Sequence, residues 1–408
     1  MKPTVLAIGL GTSCDFRLLE YVITPMIPSY NIVYIGDIKH KAPNGCKGIY
    51  YRTPDFLVTD PELPIANTSK NIFHWALLYP SHVVNALQFY TYMKERIMRA
   101  VDKYKPIAMM VMYPALGIVC RLPDELLDKC PMYIYYYAPA FVNNKIPWLF
   151  DSVFTSPSFE LYKEGNEEIA KESGFKYLKR IFLASGNKID ILKKMTHIMC
   201  WDKNQIPVFQ CAIEGLRILK MRALLPQVKK ISSWKEMPIP KGKDIIFMSF
   251  GTYSELKELG RVISYILETL EEYCKKNNAV VLYHLGQLEN KPWLYNYKEY
   301  IPYEYIVPRS KLVVFAGSLC LQNLCLYHKV PMLFVPLLTE QFFWAKNYKH
   351  FTGVNFVNYR EKENIIDMSE VVQVNDYIKR VSKSMRNSSR YKMIDIAKDV
   401  MKKTVDNK

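Results

Sequence analysis

Residues 300–347 read YIPYEYIVPRSKLVVFAGSLCLQNLCLYHKVPMLFVPLLTEQFFWAKN, and the fold is decided by the order of their parts. Residues 312–315 form a short, wholly apolar run, as a strand buried on both faces requires. They lead into Ala316-Gly317-Ser318, and an apolar helical stretch starts at once over 318–327. A small-residue turn at a strand's end lets backbone approach a ligand closely. The unpaired N–H groups of the helix's first turn then favour an anion such as a diphosphate. Tyr327-His328-Lys329-Val330-Pro331 ends the helix, and residues 332–335 begin a second buried strand. Its far end delivers Leu338-Thr339-Glu340-Gln341 to the same edge. A carboxylate beside a carboxamide there can bond several hydroxyls of one sugar.

Upstream, residues 246–252 (IFMSFGT) repeat the theme: an apolar strand closes on Gly251, and Thr252 offers a hydroxyl and an amide to phosphate oxygens. A helix follows over 255–277, then a strand over 279–284, and 305–307 reads as a short further strand. In the first half, residues 5–9 form a strand ending in Gly9-Leu10-Gly11-Thr12-Ser13, and a helix follows. Residues 31–35 (NIVYI), 106–112 (PIAMMVM) and 132–137 (MYIYYY) are further strands, with an amphipathic helix over 86–101. Alternating strands and helices imply a parallel sheet covered on both faces. Residues 226–243, rich in Pro, Ser and Lys, read as a linker. The expected architecture is therefore α/β, with two doubly wound Rossmann-like domains facing a central cleft. Residues 1–225 form the first, 226–390 the second, and a tail over 391–408 returns to the first. Open sheets of this kind bind ligands at the carboxyl ends of their strands.

Composition narrows the class. The chain has 408 residues, half of them hydrophobic, 23% charged, with a net charge of +16. That is too long for one core and too apolar for a disordered tail. The longest apolar run, 107–120, is broken by Pro114 and falls short of the roughly 20 residues a membrane span needs. No secretory leader is legible, so a soluble cytoplasmic protein is expected. The nine cysteines are scattered without metal-knuckle spacing, so no structural zinc site is expected, and Cys320 and Cys325 read as core residues; no cofactor is expected beyond a nucleotide co-substrate. Positive charge gathers after residue 376, where Lys379, Arg380, Lys383 and Arg386 open a basic run. Such a face is either a solvated helix surface or a patch for an anionic membrane or nucleic acid.

The segments FMSFGT, YHKVPM and VPLLTEQ together resemble the donor-binding signature of the family 1 UDP-glycosyltransferases, whose fold is GT-B. The resemblance spans about residues 226–400. It implies a hexose moved from a nucleotide-diphosphate sugar to a hydroxyl acceptor (small molecule, glycan or lipid), with no metal. It also implies that Tyr300 stacks on the donor's base and that Gly251, Thr252, Gly317 and Ser318 border the diphosphate. Glu340 and Gln341 would hold the sugar, Glu340 standing where the family usually has Asp. Against the family pattern, Ala316 replaces a phosphate-binding His, Leu324 a ribose-binding Glu, and Trp344 an Asn. The usual catalytic His is missing from residues 11–15, and its Asp partner would fall at about Tyr113. Asp15 is the nearest substitute base, although an Asp opening a helix also serves as an N-cap.

Other readings stay open. A scaffold of this kind that has lost catalysis would bind a nucleotide or glycan without turnover. A nicotinamide-dependent oxidoreductase would use Gly9-Leu10-Gly11 and Asp37 at the end of the second strand, but Cys14 stands in place of the third glycine. His284, at a strand end, is either a core histidine or a cleft residue. His328 sits at a helix C-terminus, where the dipole favours it. The tyrosines at 133–137 and 295–305 either pack strands or line an acceptor pocket.

Overall fold

A computed structural model of the chain describes residues 2–9, 19–20, 22–52, 80–112, 122–136, 193–199, 204–205, 217–220, 241–251, 259–285, 288–299, 301–337, 339–357 and 366–387. Its first sheet runs through β1 (Thr4–Ile8), β2 (Asn31–Asp37), β3 (Cys46–Tyr51), β4 (Ala108–Met112), β5 (Met132–Tyr136), β6 (Thr196–Met199) and β7 (Arg217–Lys220). The second contains β8 (Asp244–Ser249), β9 (Ala279–His284), β10 (Leu294–Tyr297), β11 (Ser310–Phe315) and β12 (Met332–Phe334). Helices α1 (Pro80–Tyr104), α2 (Asp124–Lys129), α3 (Leu259–Lys276), α4 (Tyr303–Ile306), α5 (Leu319–His328), α6 (Thr339–Thr352), α7 (Met368–Val371) and α8 (Asp376–Asn387) alternate with them. The sequence expectation of two α/β sheets is met.

Strand order explains why these segments are so apolar. The first sheet is ordered β3-β2-β1-β4-β5-β6-β7 and the second β10-β9-β8-β11-β12. Every ladder is parallel. Parallel strands need crossover connections, which place helices on both faces and leave the strands dry. Accordingly all six residues of β9 and all five of β4 are buried. In each sheet the order grows one way from the first strand and then jumps back beside it. The reversal falls between β1 and β4 in the first sheet and between β8 and β11 in the second. Ligands of open α/β sheets occupy the crevice at such a reversal.

One element differs from the sequence reading. Residues 305–307 are not a strand. Pro302, with φ −65° and ψ 120°, caps the N-terminus of α4, and a 3-10 turn at Val307–Arg309 containing Pro308 follows. Proline's fixed φ starts a helical turn, and this overrides the local β preference of Tyr305, Ile306 and Val307. Other bounds shift less: α1 begins at Pro80, and β12 stops at Phe334. The proposed domain boundary near 225 and the returning tail over 391–408 lie outside the described residues.

Candidate active site

The second sheet's reversal is built by register. Ser249 on β8 stands opposite Phe315 on β11, so Gly251 and Gly317, each two residues further on, leave the sheet side by side at its carboxyl edge. Both glycines have positive φ, +58° and +119°, a backbone region that residues with a Cβ rarely adopt. They serve different needs. A Cβ on Gly251 would meet open space, whereas one on Gly317 would lie 3.2 Å from Gln341 Cβ and 3.3 Å from Phe334. Gly317 therefore lets α6 approach the strand end. Gly251 meets the backbone's need for a positive φ at the end of β8.

Ser318 follows Gly317 as the extended N-cap of α5, and its hydroxyl makes no capping bond. Its carbonyl accepts the first helical bond, from the Gln322 N–H at 3.0 Å. By helix geometry the N–H groups of Leu319, Cys320 and Leu321 then lack intrahelical acceptors, so α5 presents its positive end beside both glycines. The opposite end closes with Lys329 in the left-handed region and a bond from Val330 N–H to Cys325 O of 2.8 Å, as a Schellman cap.

Glu340 and Gln341 lie in the first turn of α6, not on a strand. Gln341 is buried, and its Oε1 accepts from the Leu337 N–H at 2.8 Å. That bond ties the loop after β12 to α6. Of the residues singled out from sequence, Gly251, Gly317, Ser318 and Gln341 converge on this edge, and Glu340 is in the same helical turn. Asp15, Thr252 and Tyr300 lie outside the described residues. Ala316 and Leu324 are buried, at 6% and 3% exposure.

A buried polar cluster beside this edge was only half legible. Ser249 and His284 are register partners on β8 and β9, with Ser249 Oγ 3.3 Å from His284 Nδ1. Ser249 Oγ also shares a 3.0 Å hydrogen bond with the Tyr303 hydroxyl on α4. Phe247, His284 and Tyr303 close around it, the last two edge to face at 5.9 Å. The sequence placed His284 at a strand end, but pairing it with Ser249 needs the parallel register, which no local pattern specifies.

Several further expectations find their place. Tyr133 and Tyr135 are buried in β5, packing the sheet, and Arg309 lies 3.8 Å over the Tyr305 ring. The Asp37 carboxylate accepts from the Lys39 N–H at 2.7 Å, a turn-forming role for the acid the oxidoreductase reading needed. Cys325 is fully buried and Cys320 partly so. On α8 Arg386 donates to Tyr327 O at 2.9 and 3.2 Å, and Arg380 lies over the Phe351 and Tyr377 rings. No group of potential metal ligands occurs among the described residues, and no helix there is long and apolar enough to cross a membrane. An open cavity of about 450 Å³ lined by Lys243, Lys275, Lys291 and Trp293 lies at the amino ends of the strands, away from both glycines.

No protein-family model matches the chain, and no curated protein matches it by sequence. Solved structures do. The two-sheet arrangement is the GT-B fold of glycosyltransferases. The glycotransferase of kitacinnamycin superposes with a TM-score of 0.68 at 13% identity, covering 99% of both chains. The calicheamicin glycosyltransferase CalG4 superposes with a TM-score of 0.63 at 15% identity over 98% of each chain. The Phytolacca americana enzyme UGT2, solved with UDP-2fluoro-glucose and pterostilbene, superposes with a TM-score of 0.59 at 10% identity. That superposition covers 99% of this chain and 100% of UGT2.

Proposed function

We propose that the protein is a cytoplasmic glycosyltransferase moving a hexose from a nucleoside-diphosphate sugar, with UDP as the favoured nucleotide, to a hydroxyl acceptor. The carrying observation is the joint exit of Gly251 and Gly317 at the second sheet's reversal, beside the N-terminus of α5. The acceptor oxygen attacks the sugar's anomeric carbon while the bond to the diphosphate breaks. Peptide N–H groups of Gly251, Thr252 and the first turn of α5 receive the charge that develops on the leaving group, which requires no metal. Tyr300 stacks on the base, Glu340 and Gln341 orient the sugar, and Asp15 takes the acceptor's proton. The end-to-end likeness to UGT2, whose structure holds a UDP-sugar analogue, supports this donor class.

Apolar Ala316 and Leu324 also favour a second reading, binding of a nucleotide or glycan without turnover. One experiment separates them. Thermal-shift and calorimetric titrations would use UDP-glucose, UDP-galactose, TDP-glucose and NAD, followed by assays of donor hydrolysis in EDTA. Binding with turnover supports the enzyme, and binding alone the scaffold. Stabilisation by NAD only, or by none of the four, overturns both.

A further inference from the structure

Asn204 and Gln205 lie in the connection between β6 and β7 of the first sheet, yet their bonds run to three helices of the second half. The Gln205 Nε2 donates to Asn323 Oδ1 on α5 at 3.0 Å. Its main-chain carbonyl oxygen accepts from Asn347 Nδ2 on α6 at 2.8 Å and from the Tyr377 hydroxyl on α8 at 3.4 Å. Asn204 Nδ2 donates to Ser384 Oγ on α8 at 2.6 Å. Gln205 and Asn323 are both 0% exposed. Removing one member of a buried amide pair takes a hydrogen bond from the other where water cannot replace it.

The three helices share the site's geometry. The N-terminus of α5 faces the proposed diphosphate, and α6 carries Glu340 and Gln341 in its first turn. Gln205 thus bonds one side chain on each of these two helices, Asn323 one turn into α5 and Asn347 two turns into α6. The α8 helix packs behind them: Ser382 Oγ and Arg386 both donate to Tyr327 O at the C-terminal end of α5.

We propose that Gln205 is a positioning residue: a latch from the first half that sets the spacing of α5 and α6, so that nucleotide affinity depends on a side chain that does not touch the nucleotide. The effect on affinity rests on the donor site proposed above, whereas the latch itself does not. A dipeptide with polar bonds to three helices, Gln205 buried and Asn204 partly so, also holds the halves in one orientation, and its release would let them separate.

The test is a cycle of Gln205→Leu, Asn323→Leu and the double variant, with UDP and TDP as calorimetric probes. Each single variant should weaken binding about five-fold or more, and the double no further than the worse single, the coupling expected of residues in direct contact. The milder Asn323→Asp variant keeps an oxygen for Gln205 and should retain most of the affinity. Unchanged affinity in a folded Gln205→Leu protein, or losses that add, would overturn the proposal. Should the wild type bind neither probe, the donor-site reading fails while the latch is still tested. A triple variant, Asn204→Ala, Gln205→Leu and Asn347→Leu, which removes the bonds to all but Tyr377, should then raise the radius of gyration in small-angle X-ray scattering and split the melting transition in two. An unchanged profile with a single transition sinks the latch.

Discussion

Gly317 and Gln341 are packed so closely that a methyl group on the glycine would fall 3.2 Å from Gln341 Cβ and 3.3 Å from its Cα. The contact joins the end of β11 to the first turn of α6, the two elements that carry the proposed phosphate and sugar contacts. Gly317→Ala meets both a crowded site and a left-handed backbone, so it should cost about 1–3 kcal/mol. Urea denaturation reads that loss, and UDP titration should show weakened binding in the same variant.

Gly251→Ala provides the contrast. Its Cβ would enter open space, leaving only the strain of φ +58°. A penalty of about 1–2 kcal/mol is expected, with no steric part. If Gly317→Ala proves no more costly than Gly251→Ala, the close approach of α6 is wrong.

Glu340→Ala should abolish sugar transfer and leave folding intact, with a melting temperature close to that of wild type. Undiminished turnover would remove Glu340 from the sugar site.

Tyr303→Phe deletes the hydroxyl bonded to Ser249 and keeps the ring against Phe247 and His284. About 1 kcal/mol of stability should be lost, the usual net worth of one hydrogen bond. Chemical denaturation of the variant and wild type checks it; an unchanged midpoint would show that the bond contributes nothing.

His328 gives a pH signature. Burial, and secondarily the Arg386 guanidinium, lower its pKa from the ordinary 6.5 in the folded chain. Between the two pKa values the unfolded chain binds more protons, so stability is full above about pH 6.5 and falls as pH drops towards the folded value. The dipole expected to favour the charged ring is outweighed. Melting curves at pH 5 and 7.5 should show a smaller acid loss in His328→Gln than in wild type; equal losses would refute the assignment.

The strand ends and their glycines were legible because each strand is an unbroken apolar run that stops at a small residue, a pattern set by burial on both faces. FMSFGT and VVFAGS announced Gly251 and Gly317 in this way, and the order of motifs announced GT-B. The false strand at 305–307 arose where β-prone side chains sit between two prolines. Local preference pointed one way, and the fixed φ of Pro302 and Pro308 pointed the other.

By itself the sequence determined the number of sheets, their parallel character and the turn residues at the strand ends, because hydrophobic period and backbone sterics act over a few neighbours. Only the tertiary structure decided that Ser249 meets His284 and Tyr303, that Gln341 spends its carbonyl on Leu337, and that Gln205 reaches Asn323 across 118 positions. Those contacts depend on register and on helix docking, which follow from packing the whole chain. A polar side chain carries no local mark of the distant partner that will satisfy it.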